Sequence, residues 1–99
     1  MQPSPINSPP ALTEGEWQDV IRVLHLTPQQ TGIVRLILQD KKDKEIAAEM
    51  RLNFWTVRTH LSRIFTRLGV DDRVGLVLRV FAVARENANA AAPESLRNN

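Results

Sequence analysis

From Trp17 to Val83, apolar side chains return every three or four residues, the spacing of one face of an α-helix. Nowhere do they alternate with polar residues over the stretch that a half-buried strand needs, so the pattern predicts an all-α fold. The punctuation agrees. Thr13-Glu14-Gly15-Glu16 has the form of a capping box, and Trp17, Val20, Ile21 and Leu24 follow at i, i+3, i+4, i+7, a helix ending near His25. Thr27-Pro28 opens a second helix, with threonine as N-cap and proline where its missing N–H is harmless. The stripe of this helix is Ile33, Val34, Leu36 and Ile37, with Leu38 at its edge. A short third helix is predicted over 43–50, with Ile46, Ala47 and Met50 inward, then a tight link at Arg51 and Leu52. Asn53 caps a fourth helix that runs to about Leu68, where Gly69 can take a left-handed conformation. Asp72 caps a last helix, roughly 73–86.

The ends differ from this middle. Residues 1–12 hold four of the six prolines and read as a disordered lead-in, and 87–99 read as a disordered tail. Ninety-nine residues allow one domain, over 13–86. There is no cysteine, and His25 and His60 lie too far apart for any metal-ligand spacing, so no metal or other cofactor is expected. No apolar run reaches the roughly 18 residues that a membrane span needs, and no secretory signal opens the chain. No nucleophile, base and orienting group are clustered and no phosphate loop is present, which argues against an enzyme. A cytoplasmic protein with no evident small-molecule ligand is the expectation.

Charge is distributed unevenly. Residues 1–40 carry two basic and four acidic side chains, whereas 41–73 carry eight basic and five acidic. Between 53 and 70 there are three arginines and no acid, the footprint that a nucleic-acid surface leaves. On a helical wheel Val57, Leu61, Ile64 and Leu68 share one side, with Phe54 and Phe65 at its edge. Phe54 is expected to turn inward over the third helix. Trp55, Thr59, Ser62, Arg63 and Thr66 face the other way, bordered by Thr56, His60 and Arg67. Hydroxyls and arginines suit phosphate oxygens and base edges. The Trp55 indole can cover a thymine methyl, or it can pack at a protein contact. A short helix, a tight turn and a longer helix with a polar outer face follow helix-turn-helix logic, in which the second helix enters the major groove of double-stranded DNA.

Three segments then carry a resemblance. LTPQQTGIVRLI, KEIAAEM and TVRTHLSRIFTRLGV, with Arg73 close behind, are similar to the LuxR-type (GerE, FixJ/NarL) helix-turn-helix over about residues 26–85. The resemblance implies a four-helix unit, here with one extra N-terminal helix, in a transcription regulator. It implies base reading by Arg58, Thr59 and Ser62, contacts at or near phosphates by Thr56, His60, Arg63 and Arg67, and a backbone contact by Lys44. Glu45 is expected to support the start of its own helix. The chain departs from the family pattern at Gln29-Gln30, at Gly32, which weakens its helix by about 1 kcal/mol against alanine, and at Asp40, Lys42 and Trp55. With Lys42 in place of the usual serine, Asp40 or Asp43 is expected to cap the third helix.

Many family members carry an upstream receiver or ligand-binding domain, for which this length has no room, so control is expected through protein level, a partner or oligomerisation. The last helix is apolar on two sides: Val74, Val77, Leu78 and Phe81 on one, Leu76, Val80 and Val83 on the other. One must meet the core, and the other can meet the first helix or a second copy. Leu76, Val80 and Val83 are taken as the candidate dimer contact, with the extra helix enlarging that platform. The leading expectation is thus a sequence-specific regulator acting as a homodimer on nucleoid DNA. The alternative is an interaction protein that pairs with a larger regulator and tunes it. A sigma-factor region 4 helix-turn-helix fits Thr56-Val57-Arg58-Thr59-His60 poorly.

Overall fold

A computed structural model describes residues 12–90, and the side chains of 12–87. Among these residues there are five helices and no strand: α1 (Glu14–Leu24), α2 (Pro28–Leu38), α3 (Asp43–Met50), α4 (Phe54–Leu68) and α5 (Arg73–Ala90). Residues 1–11 of the expected lead-in and 91–99 of the expected tail lie outside the described residues, while Leu12 packs against the core. The last helix runs four residues past Glu86. Alanine and asparagine alternate there, and Asn87 is anchored: its Nδ2 donates to Val83 O at 3.0 Å, and its Oδ1 accepts from Arg22 Nη2 on α1 at 3.4 Å.

Each helix start is built from local chemistry. The Thr13 hydroxyl accepts from Glu16 N–H and the Glu16 carboxylate from Thr13 N–H, and Thr27 and Gln30 repeat the arrangement on α2. Gln30 thus does at α2 what a glutamate would. Asn53 Oδ1 accepts from Trp55 N–H at 2.7 Å, and Asp72 Oδ1 from Gly75 N–H at 2.9 Å. α3 departs from expectation, because neither Asp40 nor Asp43 caps it. Lys42 occupies the cap position, and its ammonium has no lone pair to accept with. The Glu45 carboxylate instead takes the Lys42 N–H at 2.7 Å. Asp43 is the first helical residue, turned toward two arginines, and Asp40 belongs to the end of α2.

The first four helices end alike. His25, Asp40, Arg51 and Gly69 take left-handed backbone, φ +54° to +70°. The following N–H then reaches back five residues: Leu26 to Ile21 O, Lys41 to Leu36 O, Leu52 to Ala47 O and Val70 to Phe65 O, at 2.9–3.1 Å. This Schellman closure satisfies carbonyls that the helix leaves unpaired and turns the chain within three residues.

The core joins Trp17, Val20 and Leu24 of α1 to Ile33, Val34 and Ile37 of α2, Ile46 of α3, Val57 and Ile64 of α4, and Leu76 and Val80 of α5. A Cβ at Gly32 would lie 2.9 Å from Met50 Cε and 3.0 Å from its sulfur, and would displace the flexible end of that methionine side chain. α1 packs chiefly on α5. The expected dimer contact is therefore corrected: Leu76, Val80 and Val83 are 0%, 0% and 6% exposed within a single chain and cannot meet a second one. The opposite face stays open, with Val74 and Leu78 each 65% exposed and Phe81 half-buried outside the core. The reason is α1, which supplies Trp17, Val20 and Leu24 to cover α5. Phe54 is corrected too. It is half-buried beside the core and not in it: its ring lies near the polar start of α3, with Lys42, Asp43 and Lys44, and meets Trp55 edge-on at 5.1 Å.

Candidate nucleic-acid interface

The helix pair follows from the core. Ile46 and Ala47 of α3 and Val57, Leu61, Ile64 and Leu68 of α4 are buried. With those positions inward, helical geometry sends the intervening residues outward. The three-residue link Arg51-Leu52-Asn53 combines a left-handed turn, a half-buried leucine and a cap. It fixes where α4 begins.

The outer face of α4 presents Trp55, Thr56, Arg58, Thr59, Ser62 and Arg63, all exposed, and His60 is half-buried at its border. Lys44 is exposed on the adjoining turn of α3. Eight of the nine expected contact residues are thus exposed or half-buried on α4 and the first turn of α3. Trp55 is 70% exposed, so its indole projects from the start of α4, edge-on to the Phe54 ring.

Arg67 is the ninth, and it is committed elsewhere. Its guanidinium donates to His25 O and Leu24 O, both at 3.0 Å, and to Gln30 Oε1 at 3.3 Å. A cation on the last carbonyls of α1 completes that helix end, where the helix dipole is negative. Those bonds occupy the fork that a phosphate would need, so the expected phosphate contact gives way to a structural clamp between α4 and α1.

Arg58 also has a partner. Its Nη1 donates to Asp43 Oδ2 at 3.1 Å, and its Cζ lies 5.9 Å from the Phe54 ring centre. Arg73 Nη1 holds the other oxygen of Asp43 at 3.4 Å, and Arg73 Nη2 donates to Lys41 O. Asp43 and Arg73 were not legible as site residues. They are 30 residues apart, and no local spacing marks a contact between different helices. Beside this cluster a cleft of about 500 Å³ runs between α4 and the start of α5, but Asp71 and Asp72 line it, which disfavours a phosphate there. Among the described residues no group of three or more histidine, cysteine or acidic side chains is set to hold a metal ion, and no helix is long and apolar enough to cross a membrane.

A brace helix, a three-residue turn and a helix with an exposed cationic and hydroxylic face define a helix-turn-helix protein of the kind that binds DNA. Comparison with known proteins agrees. The family model described as bacterial regulatory proteins, luxR family, matches residues 24–80. The chain is 38% identical over 55 residues to the spore germination protein GerE of Bacillus subtilis, covering 56% of this chain and 74% of that one. It is 43% identical over 65 residues to the HTH-type regulator GfsR of Streptomyces halstedii, covering 66% of this chain and 27% of GfsR. A mycobacterial HTH-type transcriptional regulator, from Mycobacterium tuberculosis, is 38% identical over 52 residues; this chain spans 52% of its own length there and only 6% of that relative's. No solved structure matches the chain significantly. The chain belongs to the luxR family, a class of helix-turn-helix DNA-binding transcription regulators.

Proposed function

We propose that this chain binds double-stranded DNA sequence-specifically, with α4 in the major groove, and regulates transcription from the sites it reads. The observation that supports this most is the outer face of α4: hydroxyls, two arginines and an indole, with no acidic residue between 53 and 70. Arg58, Thr59 and Ser62 face base edges, and Trp55 covers a thymine methyl. Thr56, His60, Arg63 and Lys44 meet phosphates, which set register and not sequence. A groove about 12 Å wide admits one helix, so one copy reads few base pairs. A two-fold pair reading two half-sites doubles the contact set. The second copy docks on the outer face of α5, through Val74, Leu78 and Phe81, the apolar face that the monomer leaves open. Action on DNA places the protein in the cytoplasm, at the nucleoid. The same open face favours one second reading, in which a larger regulator of the family occupies it and this chain tunes that regulator.

Selection from a randomised duplex pool at two salt concentrations tests both. A palindromic motif whose affinity falls steeply with salt supports a dimeric reader. A flat pool with weak binding moves the weight to the partner reading.

A further inference from the structure

Arg58 does not hang free in solvent. Its guanidinium has five N–H donors, and the structure assigns one nitrogen, Nη1, to Asp43. The side chain is still 58% exposed, so its remaining donors stay accessible on the outer face of α4. Asp43 is 19% exposed and cannot swing, because Arg73 holds its other oxygen and is itself tied to the Lys41 carbonyl. The Phe54 ring centre lies 5.9 Å from the guanidinium carbon. A planar donor fork held on one nitrogen by a carboxylate, with an aromatic ring nearby, has part of its rotamer freedom removed before any ligand arrives. The Asp43 charge is shared between two guanidiniums, so it presents little repulsion to a phosphate backbone.

We infer that Asp43, on the brace helix, is a positioning residue for base recognition. It holds Arg58 with its free donors presented to the two acceptors of a guanine edge in the major groove, and Arg73 and Phe54 keep that brace in place. This rests on the proposed reading of Arg58 as a base contact. A competing latch, in which Asp43 withholds Arg58 from DNA, fits the geometry less well: a latch would occupy both terminal nitrogens and bury the fork, whereas here one nitrogen is engaged and the side chain is exposed. Ordering a long side chain at an interface costs affinity by about two- to twelvefold, and the brace removes part of that cost in advance.

The test uses the full chain, its selected duplex, and duplexes substituted at each base pair, with binding to unrelated duplex as reference. In Asp43→Asn the side-chain carbonyl can still accept from Arg73 while the charge that holds Arg58 is lost. This variant should reduce discrimination at one base pair by about two- to twelvefold, leaving binding to unrelated duplex and Tm nearly unchanged. Arg58→Ala should abolish discrimination at that same base pair, and Asp43→Asn added to it should change nothing further. If Arg58→Ala leaves discrimination intact, the reading of Arg58 falls. If Arg58→Ala abolishes it but Asp43→Asn leaves it whole, or raises affinity at every sequence as release of a latch would, the inference about Asp43 is overturned. Should Asp43→Asn lower Tm, Arg73→Lys supplies a second variant that loosens the brace from the far side. It must then lower discrimination at the same base pair, and loss spread evenly over all sequences would overturn the proposal.

Discussion

At the scale of single residues, backbone strain and one exposed ion pair give the sharpest expectations. Arg51 holds left-handed backbone at φ 57°, where a Cβ crowds the following carbonyl. Arg51→Gly should therefore stabilise the fold by about 0.5–1 kcal/mol, the strain relief outweighing glycine's extra chain entropy. Thermal melting should show a rise of about 2–8 °C. Glu14 receives two hydrogen bonds from Arg35, at 2.9 and 3.2 Å, while the same guanidinium lies over the Trp17 ring at 4.8 Å. The hydrogen bond from Arg35, and then its charge, holds the Glu14 carboxyl below its ordinary value of 4.5. A folded-state value below the unfolded one means the contribution is whole above the unfolded value and fades as pH falls through the folded one. The Tm difference between wild type and Glu14→Gln should be flat from about pH 7 to 5 and close below about pH 4. Glu14 is fully exposed, so the plateau should be small.

At the scale of elements, α1 is the part that the luxR family model, which begins at residue 24, leaves out. Its attachments include the buried Trp17, Val20 and Leu24, the Glu14–Arg35 pair to α2, Arg67 on its last carbonyls and Arg22 on Asn87 of α5. Deleting residues 1–25 strips Trp17, Val20 and Leu24 from the core, and it should lower Tm sharply. An unchanged melting curve would refute an integral α1. Arg67 and Arg63 should then part company. Arg67→Ala should destabilise by about 0.5–1.5 kcal/mol, because water replaces the charged donor on these helix-end carbonyls only in part, with the salt dependence of DNA binding unchanged. Arg63→Ala should leave Tm unchanged and reduce the slope of log affinity against log salt by roughly 0.9, one released counterion.

At the scale of the whole molecule, the proposed pairing rests on the open side of α5. Leu78 is 65% exposed, so Leu78→Glu removes no core contact. It should leave stability within about 0.5 kcal/mol of wild type. Sedimentation or mobility shift on a palindromic duplex should then report one copy bound where the proposed wild-type dimer gives two. An unaltered two-copy complex would assign the pairing to another surface.

Much of this protein is written locally. Helix starts depend on neighbours three residues apart, as at Thr13/Glu16 and Thr27/Gln30, and a helix face depends on spacing alone, so α4 and its outward side chains were legible without coordinates. Left-handed ends are less so. Gly69 announces itself, but His25 and Arg51 take the same backbone only because the packed helices on either side force the turn. What the sequence could not decide is which of two apolar faces of α5 is covered, where Arg67 reaches, and that Asp43 and Arg73 converge on Arg58. Local periodicity says that a face is apolar, and residue type says that a guanidinium seeks oxygen. Which partner each one finds depends on the positions of other helices, and only the packed tertiary structure sets those.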